Sequence, residues 1–189
     1  MDKSNHSNVL IIGGGGAGVS VASRINSLKS GLSISIIEPS EKSLYQAAWT
    51  LVGAGAYNVE NTIKPMSDVM PSYVNWIKDS AEEFIPDTNS VKTKNGNYTY
   101  DYLVVCPGLK LNYDGVAGLK ENLGKNNVCT NYSAEMATYT WDCLKNLDGG
   151  TLLFTEPPMP IKCAGAPQKI AYLAADHLKK KGKLNDSHL

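Results

Sequence analysis

The sequence predicts an α/β fold, on three observations. A short apolar run, Val9-Leu10-Ile11-Ile12, leads directly into Gly13-Gly14-Gly15-Gly16-Ala17-Gly18. A stretch with helical spacing follows, and a second apolar run from Ile34 to Ile37 ends at Glu38. Strand, glycine turn, helix, strand and acid together read as a βαβ unit on a parallel sheet. The 189 residues suit one domain of ordinary size, or one and part of another. A hydrophobic fraction of 42% is enough to build a packed core.

Each element has its own signal. The two apolar runs have the continuous hydrophobicity of strands buried on both faces. Between them Val21, Ala22, Ile25 and Leu28 recur on one helical face, and Gly31 ends the helix. The middle of the chain reads as a small antiparallel meander of Val74 to Ile77, Glu82 to Ile85, and Ser90 to Thr93. Asn95-Gly96 then turns the chain into Tyr98-Thr99-Tyr100. Tyr102 to Val105 is another buried strand, ending at Cys106-Pro107-Gly108. The segment 112–127, rich in Gly and Asn, reads as loop. Ser133 to Leu147 has helical spacing, with Met136, Tyr139, Thr140, Cys143, Leu144 and Leu147 mostly on one side. Gly149-Gly150 ends that helix, Thr151 to Thr155 reads as a strand, and a last helix runs from about Pro167 to Lys180.

Composition narrows the function. Eighteen basic and 18 acidic side chains leave no net charge, so the general basic field of a nucleic-acid binder is missing. No apolar run approaches the ~20 residues of a membrane-spanning helix. Met1 to Asn8 reads as neither signal nor transit peptide, so a soluble chain is expected. Cys106, Cys129, Cys143 and Cys163 are widely spaced, and His6, His177 and His188 lie toward the ends, which excludes a zinc site with close ligand pairs. The lysines at positions 179–181 and 183 read as a solvated helix end complementing the helix dipole. One strand and one helix after residue 150 do not complete a second sheet. The chain is therefore expected to be the N-terminal part of a longer protein, with one domain over 1–112 and the start of a second over 113–189.

The glycine turn carries a dinucleotide-binding pattern. Gly13 makes the tight turn, Gly15 lets a diphosphate approach the backbone, and Gly18 lets helix and strand pack closely. Free N–H groups at the helix start favour the anion. Glu38 stands 20 positions after Gly18, where a carboxylate accepts ribose hydroxyls and disfavours a 2′-phosphate. The motif alone does not separate FAD from NAD.

The loop from Pro157 to Lys169 is the second unusual stretch. A second glycine motif is absent there, and prolines and Cys163 take its place. Cys163 precedes a helix and stands between Lys162 and Lys169, three influences that favour thiolate. Cys129 and Cys143 read as small buried hydrophobes.

These residues resemble the sulfide:quinone oxidoreductases, in the branch that includes the mitochondrial enzymes. The resemblance is carried by Gly13 through Gly18, Glu38-Pro39, Tyr45-Gln46, Trp49 to Gly55, Tyr102 to Gly108, Asn131-Tyr132-Ser133, and Ile161 to Ile170. It implies a Rossmann-like FAD-binding domain with the small meander, followed by the start of a second Rossmann-like domain. It also implies electron transfer from sulfide, through a cysteine pair, a persulfide and the flavin, to a membrane quinone. Carried over by position, Gly13, Gly15 and Gly18 would hold the FAD pyrophosphate and Glu38 the ribose. Ala81 would meet the adenine through its backbone, and Pro107-Gly108 would lie beside the cofactor. Cys163 would be the first of two redox cysteines. The second, the quinone pocket and the membrane-docking helices would follow Leu189. Peripheral attachment to a mitochondrial inner or bacterial plasma membrane is implied for the full-length protein. Cys106 stands where a small residue such as Ala is expected. Two other readings remain open: an NAD(P)H-dependent flavin disulfide or quinone reductase, and a non-catalytic nucleotide-binding module.

Overall fold

The structure is a computed structural model that describes residues 5–29 and 31–189; Met1 to Ser4, half of the stretch read above for a leader, lie outside the described residues. In chain order its elements are β1 (His6–Ile12), α1 (Gly16–Leu28), β2 (Ile34–Ile37), β3 (Lys42–Leu44), α2 (Trp49–Gly53) and β4 (Ile63–Pro65). Then come α3 (Met66–Val69), β5 (Val74–Ile77), β6 (Ala81–Ile85), β7 (Ser90–Thr93) and β8 (Asn97–Val105). The last are α4 (Leu119–Asn122), α5 (Ala134–Lys145), β9 (Gly150–Thr151), α6 (Ala166–Lys180) and β10 (Ser187–His188). The chain forms two compact units, residues 1–44 with 64–108, and residues 45–63 with 109–189.

The first unit is a six-stranded sheet in the order β5-β2-β1-β8-β7-β6. β1 pairs in parallel with β2 on one side and β8 on the other. The pleat sends alternate residues to opposite faces. Val9, Ile11, Ile34 and Ile36 pack with Ala22, Val21 and Ile25 of α1, while Leu10, Ile12 and Ile37 pack with Ile77, Val91 and Tyr100. Leu28, expected on the buried face of α1, is 69% exposed instead, because it lies in the helix's last turn.

Two expectations in this unit are corrected. Val74–Ile77 does not belong to the meander: it pairs in parallel with β2, from Ile34 with Val74 to Ile37 with Ile77. Its period-2 pattern suits either direction, and what places it is burial, since Val74 and Ile77 enter the two opposite faces of the core. The runs at Tyr98–Tyr100 and Tyr102–Val105 are one strand. β8 pairs antiparallel with β7 near its start and parallel with β1 from Thr99 onward, so a single strand joins the antiparallel and parallel halves.

The second unit is built on α2, α5 and α6. Trp49 and Val52 of α2 pack on Ala137 of α5, and Leu144 of α5 packs on Ile170 and Ala174 of α6. The Trp49 indole donates to Thr62 Oγ1 at 3.2 Å. The strand expected at Thr151–Thr155 is only Gly150–Thr151, paired in parallel with Ser187–His188. Leu152 and Phe154 pack on the α5–α6 core, but Leu153 is 84% exposed, so the run finds burial for alternate residues without a full-length pairing partner. The expected loop 112–127 contains the single turn α4. Lys180, the last residue of α6, pairs with Asp176, and beyond the helix Lys183 pairs with Asp186 and Lys181 with Asp148. Lys181 Nζ also donates to the carbonyls of Lys145 and Leu147, placing a cation on the negative end of α5.

Candidate functional site

The glycine turn leaves β1 at the centre of the sheet, where strand order changes direction, at the carboxyl end of the parallel strands. Gly13 has φ +97°, and a Cβ there would enter the carbonyl of Cys106. Gly18 sits with Cβ space closed by the Gly13 carbonyl, so the third glycine holds α1 against the turn. Gly15 and Gly16 differ: nothing lies within 4 Å of where their side chains would stand. They open the 13-residue α1, whose first turn holds no acidic residue.

Glu38 closes β2 and turns its carboxylate back on the glycines. Its Oε2 accepts the Gly14 N–H at 2.8 Å and its Oε1 accepts the Ser40 N–H at 2.7 Å. The Glu38 carbonyl accepts the Trp76 indole N–H at 2.8 Å. Each carboxylate oxygen keeps a lone pair for a further donor. The triplet pattern missed Gly14, where a Cβ would stand 2.9 Å from Glu38 Cβ and Cγ; the run of four glycines was the available signal. Pro107 and Gly108 follow β8 at the same sheet edge, with Gly108 at φ +75° and open space beside it. Ala81 opens β6 in register with Thr93 and packs its methyl on the Leu10 cluster.

Cys163 lies in the second unit, exposed, three residues before α6. Its φ is +55°, a left-handed conformation uncommon for a residue with a side chain. Two donors hold that conformation: the Ala166 N–H meets the Cys163 carbonyl at 2.8 Å, and the Tyr132 hydroxyl donates to Lys162 O at 2.9 Å and Cys163 O at 3.4 Å. Burial, and then the charges of Cys163 and Glu156, push the Tyr132 hydroxyl above its usual range, so it remains a donor. Burial likewise lowers Lys162; the Cys163 charge opposes this and Lys169 adds to it. The other thiols are free and half-buried. Among the described residues, no three His, Cys, Asp or Glu side chains converge as metal ligands.

Residues 7–138 match the family model for pyridine nucleotide-disulphide oxidoreductases. The chain belongs to that family. Within it, the chain is 46% identical over 181 residues to the mitochondrial sulfide:quinone oxidoreductase of Dictyostelium discoideum, covering 94% of this chain and 40% of that protein. Identity to the mitochondrial enzyme of Mus musculus is 41% over 180 residues, covering 95% of this chain and 40% of that one. The solved sulfide:quinone oxidoreductase of Aquifex aeolicus superposes with TM-score 0.73 at 27% identity, over 97% of this chain and 42% of that chain. The chain thus spans about 40% of the length of the curated relatives it matches.

The family is one of FAD-binding flavoproteins. The glycine turn of this chain fits such a cofactor. The clear space over Gly15 and Gly16, beside the free N–H groups of α1, suits a diphosphate, and the Glu38 carboxylate suits ribose hydroxyls. The sequence pattern named Cys163 but not Tyr132, whose contact lies 31 residues away; its only trace was membership in the Asn131-Tyr132-Ser133 match.

Proposed function

We propose that this chain is the FAD-binding and first redox-cysteine portion of a sulfide:quinone oxidoreductase. The observation that carries the reading is the exposed Cys163, held left-handed before α6, in a chain 46% identical over 181 residues to an enzyme of that name. Gly13, Gly15 and Gly18 admit the FAD diphosphate, Glu38 takes the ribose, and Ala81, Pro107 and Gly108 complete the cofactor's surroundings. FAD, when bound, supplies the two-electron relay between thiol chemistry and quinone.

Cys163 works as half of a disulfide with a second cysteine, which the resemblance puts after Leu189. Hydrosulfide attacks one sulfur of that bridge and the S–S bond breaks. The attacked cysteine becomes a persulfide, and its partner leaves as thiolate with the electron pair. The Tyr132 hydroxyl and the Ala166 N–H fix the Cys163 backbone so that the thiol stays presented to solvent. Peripheral attachment to a mitochondrial inner or bacterial plasma membrane belongs to the same reading. Among the described residues, no helix is long and apolar enough to cross a membrane.

The test is to assemble the full-length flavoprotein and add sulfide without NADH. Loss of the flavin's visible band on sulfide addition is expected. Cys163→Ser is expected to abolish that response and to leave FAD bound, because the change is nearly isosteric and lies outside the glycine turn. The family's name couples a pyridine nucleotide to a disulphide, which favours the NAD(P)H-dependent reductase as second reading. Equal or faster bleaching by NADH would move the assignment there. Retention of sulfide turnover in Cys163→Ser would remove Cys163 from the chemistry.

A further inference from the structure

We infer that Cys129 and Cys143 form a dithiol site, separate from Cys163, that takes compounds with a reducible S–S bond and closes to an intramolecular disulfide. Four observations bring the two thiols together. Asn126 and Asn127 both adopt left-handed backbone conformations, with φ of 54° and 60°, a double turn that Asn tolerates better than other residues with side chains. That turn is fastened to α5 by the Asn127 N–H, which donates to the Tyr139 hydroxyl at 3.1 Å. Just after the turn, Cys129 Sγ lies 3.6 Å from Asn127 O. From α5, Cys143 Sγ lies 3.8 Å from Asn127 Oδ1, so both sulfurs rest on the two oxygens of one residue.

The groups around the pair act on one another: Cys143 and Thr140 influence the Cys129 thiol, and Cys143 influences the Tyr139 hydroxyl. Burial, and then Cys143, push the Cys129 thiol up to about 12, as two neutral thiols sharing a half-buried site would. All of these groups lie on the 127–132 segment or on α5, within one compact unit.

The chemistry balances with a small disulfide, R–S–S–R, as the oxidant. One protein thiolate attacks a sulfur of the S–S bond, and R–S⁻ leaves with the electron pair. The second protein thiolate then attacks the protein sulfur of the mixed disulfide and releases the second R–S⁻. The two protein thiols lose two electrons and two protons in all, and two R–SH are formed. A single cysteine stops at the mixed disulfide; a converged pair proceeds to the internal bridge. The bridge would tether the 127–132 segment to α5. That segment ends in Tyr132, which holds the Cys163 carbonyl.

The probe is glutathione disulfide in a glutathione redox buffer, applied to the folded protein and read by intact mass and peptide mapping. The expected result is loss of two hydrogens, a cross-linked peptide joining Cys129 to Cys143, and no retained glutathione at either position. Cys163→Ser should close the same bridge. Cys143→Ser should instead hold glutathione on Cys129 or remain unmodified. A dithiol-selective trivalent arsenical should bind one equivalent in Cys163→Ser and none in Cys143→Ser. Stable mixed disulfides at Cys129 or Cys143 in the unaltered protein, bridges from either to Cys106 or Cys163, or no bridge while circular dichroism reports a native fold would each overturn the inference. These readouts do not depend on sulfide turnover, so they stand apart from the proposed function.

Discussion

The glycine turn and the Cys163 loop both present a functional group at the start of a helix, but they are held by different means. The turn is fixed from all sides by backbone. The Gly13 N–H donates to Ile37 O, the Cys106 N–H to Ile12 O, and the Glu38 N–H to Ile77 O, so three neighbouring strands lock the place where it leaves β1. Among the described residues, no strand ladder runs beside the Cys163 loop. It is held by a helix-start bond from Ala166 and by the hydroxyl of one tyrosine. On the proposed function, the rigid turn would serve a cofactor that stays bound, and the lightly held thiol a sulfur that accepts and releases substrate.

The largest effect that probes this contrast is expected inside the turn. Gly18→Ala drives a methyl into the Gly13 carbonyl, which is backbone and cannot move aside; about 3 kcal/mol of stability should be lost. Gly15→Ala, three positions earlier and facing open space, should cost under about 1 kcal/mol in the fold. It should still weaken flavin binding, because its methyl would occupy the diphosphate position. Thermal melts and bound flavin per chain separate the two. Equal destabilisation by both variants would show that the cradle is not set apart from the packing glycines.

Acid should act next, and on the first unit. Asp79 Oδ1 accepts the Ser80 N–H, and its Oδ2 accepts the Asn95 backbone and side-chain N–H groups, pinning the β7–β8 hairpin tip. The Thr93 hydrogen bond, with the Ser80 and Asn95 bonds, holds this carboxyl below its ordinary 3.8 against the opposing effect of burial. A carboxyl depressed in the fold stabilises it above the unfolded value and stops doing so as pH falls through the folded one. Asp79→Asn should therefore be less stable than the unaltered chain at neutral pH, with the gap shrinking below about pH 4. A gap independent of pH would mean that the Asp79 contribution is packing rather than charge.

What the sequence disclosed follows the same division. The β1-α1-β2 unit and its acid were legible because each of their contacts is local or set by period: Ile11 and Ile36 on one face, Leu10 and Ile37 on the other. The direction of β5 was not, since alternation is the same read either way and only burial beside β2 decides it. The continuity of β8 was hidden by Asp101, a poor strand former that here accepts from Asn8 Nδ2 at 2.8 Å. In the second unit, no short-range pattern links Cys129 to Cys143 or Tyr132 to Cys163. Those meetings depend on left-handed residues at Asn126, Asn127 and Cys163, which propensity does not announce.

The smallest expected change in stability comes from Tyr132→Phe, and it bears most directly on the contrast. The substitution keeps the ring and removes only the hydroxyl that donates to Lys162 O and Cys163 O. A neutral hydrogen bond of this kind is worth about 1 kcal/mol, so the melt should move by a few degrees at most. The local effect should be larger. With one of its two restraints gone, Cys163 is free to leave φ +55° for the more populated negative range. A nitroxide label on Cys163, with the other three cysteines replaced by serine, should then change from an immobilised to a mobile spectrum. The same label on Cys106, in a chain whose other cysteines are serine, should not respond. If the Cys163 label is equally mobile before and after the substitution, the tyrosine does not hold the loop, and the Ala166 N–H alone fixes the thiol. If both labels loosen together, the hydroxyl supports the fold at large rather than the cysteine.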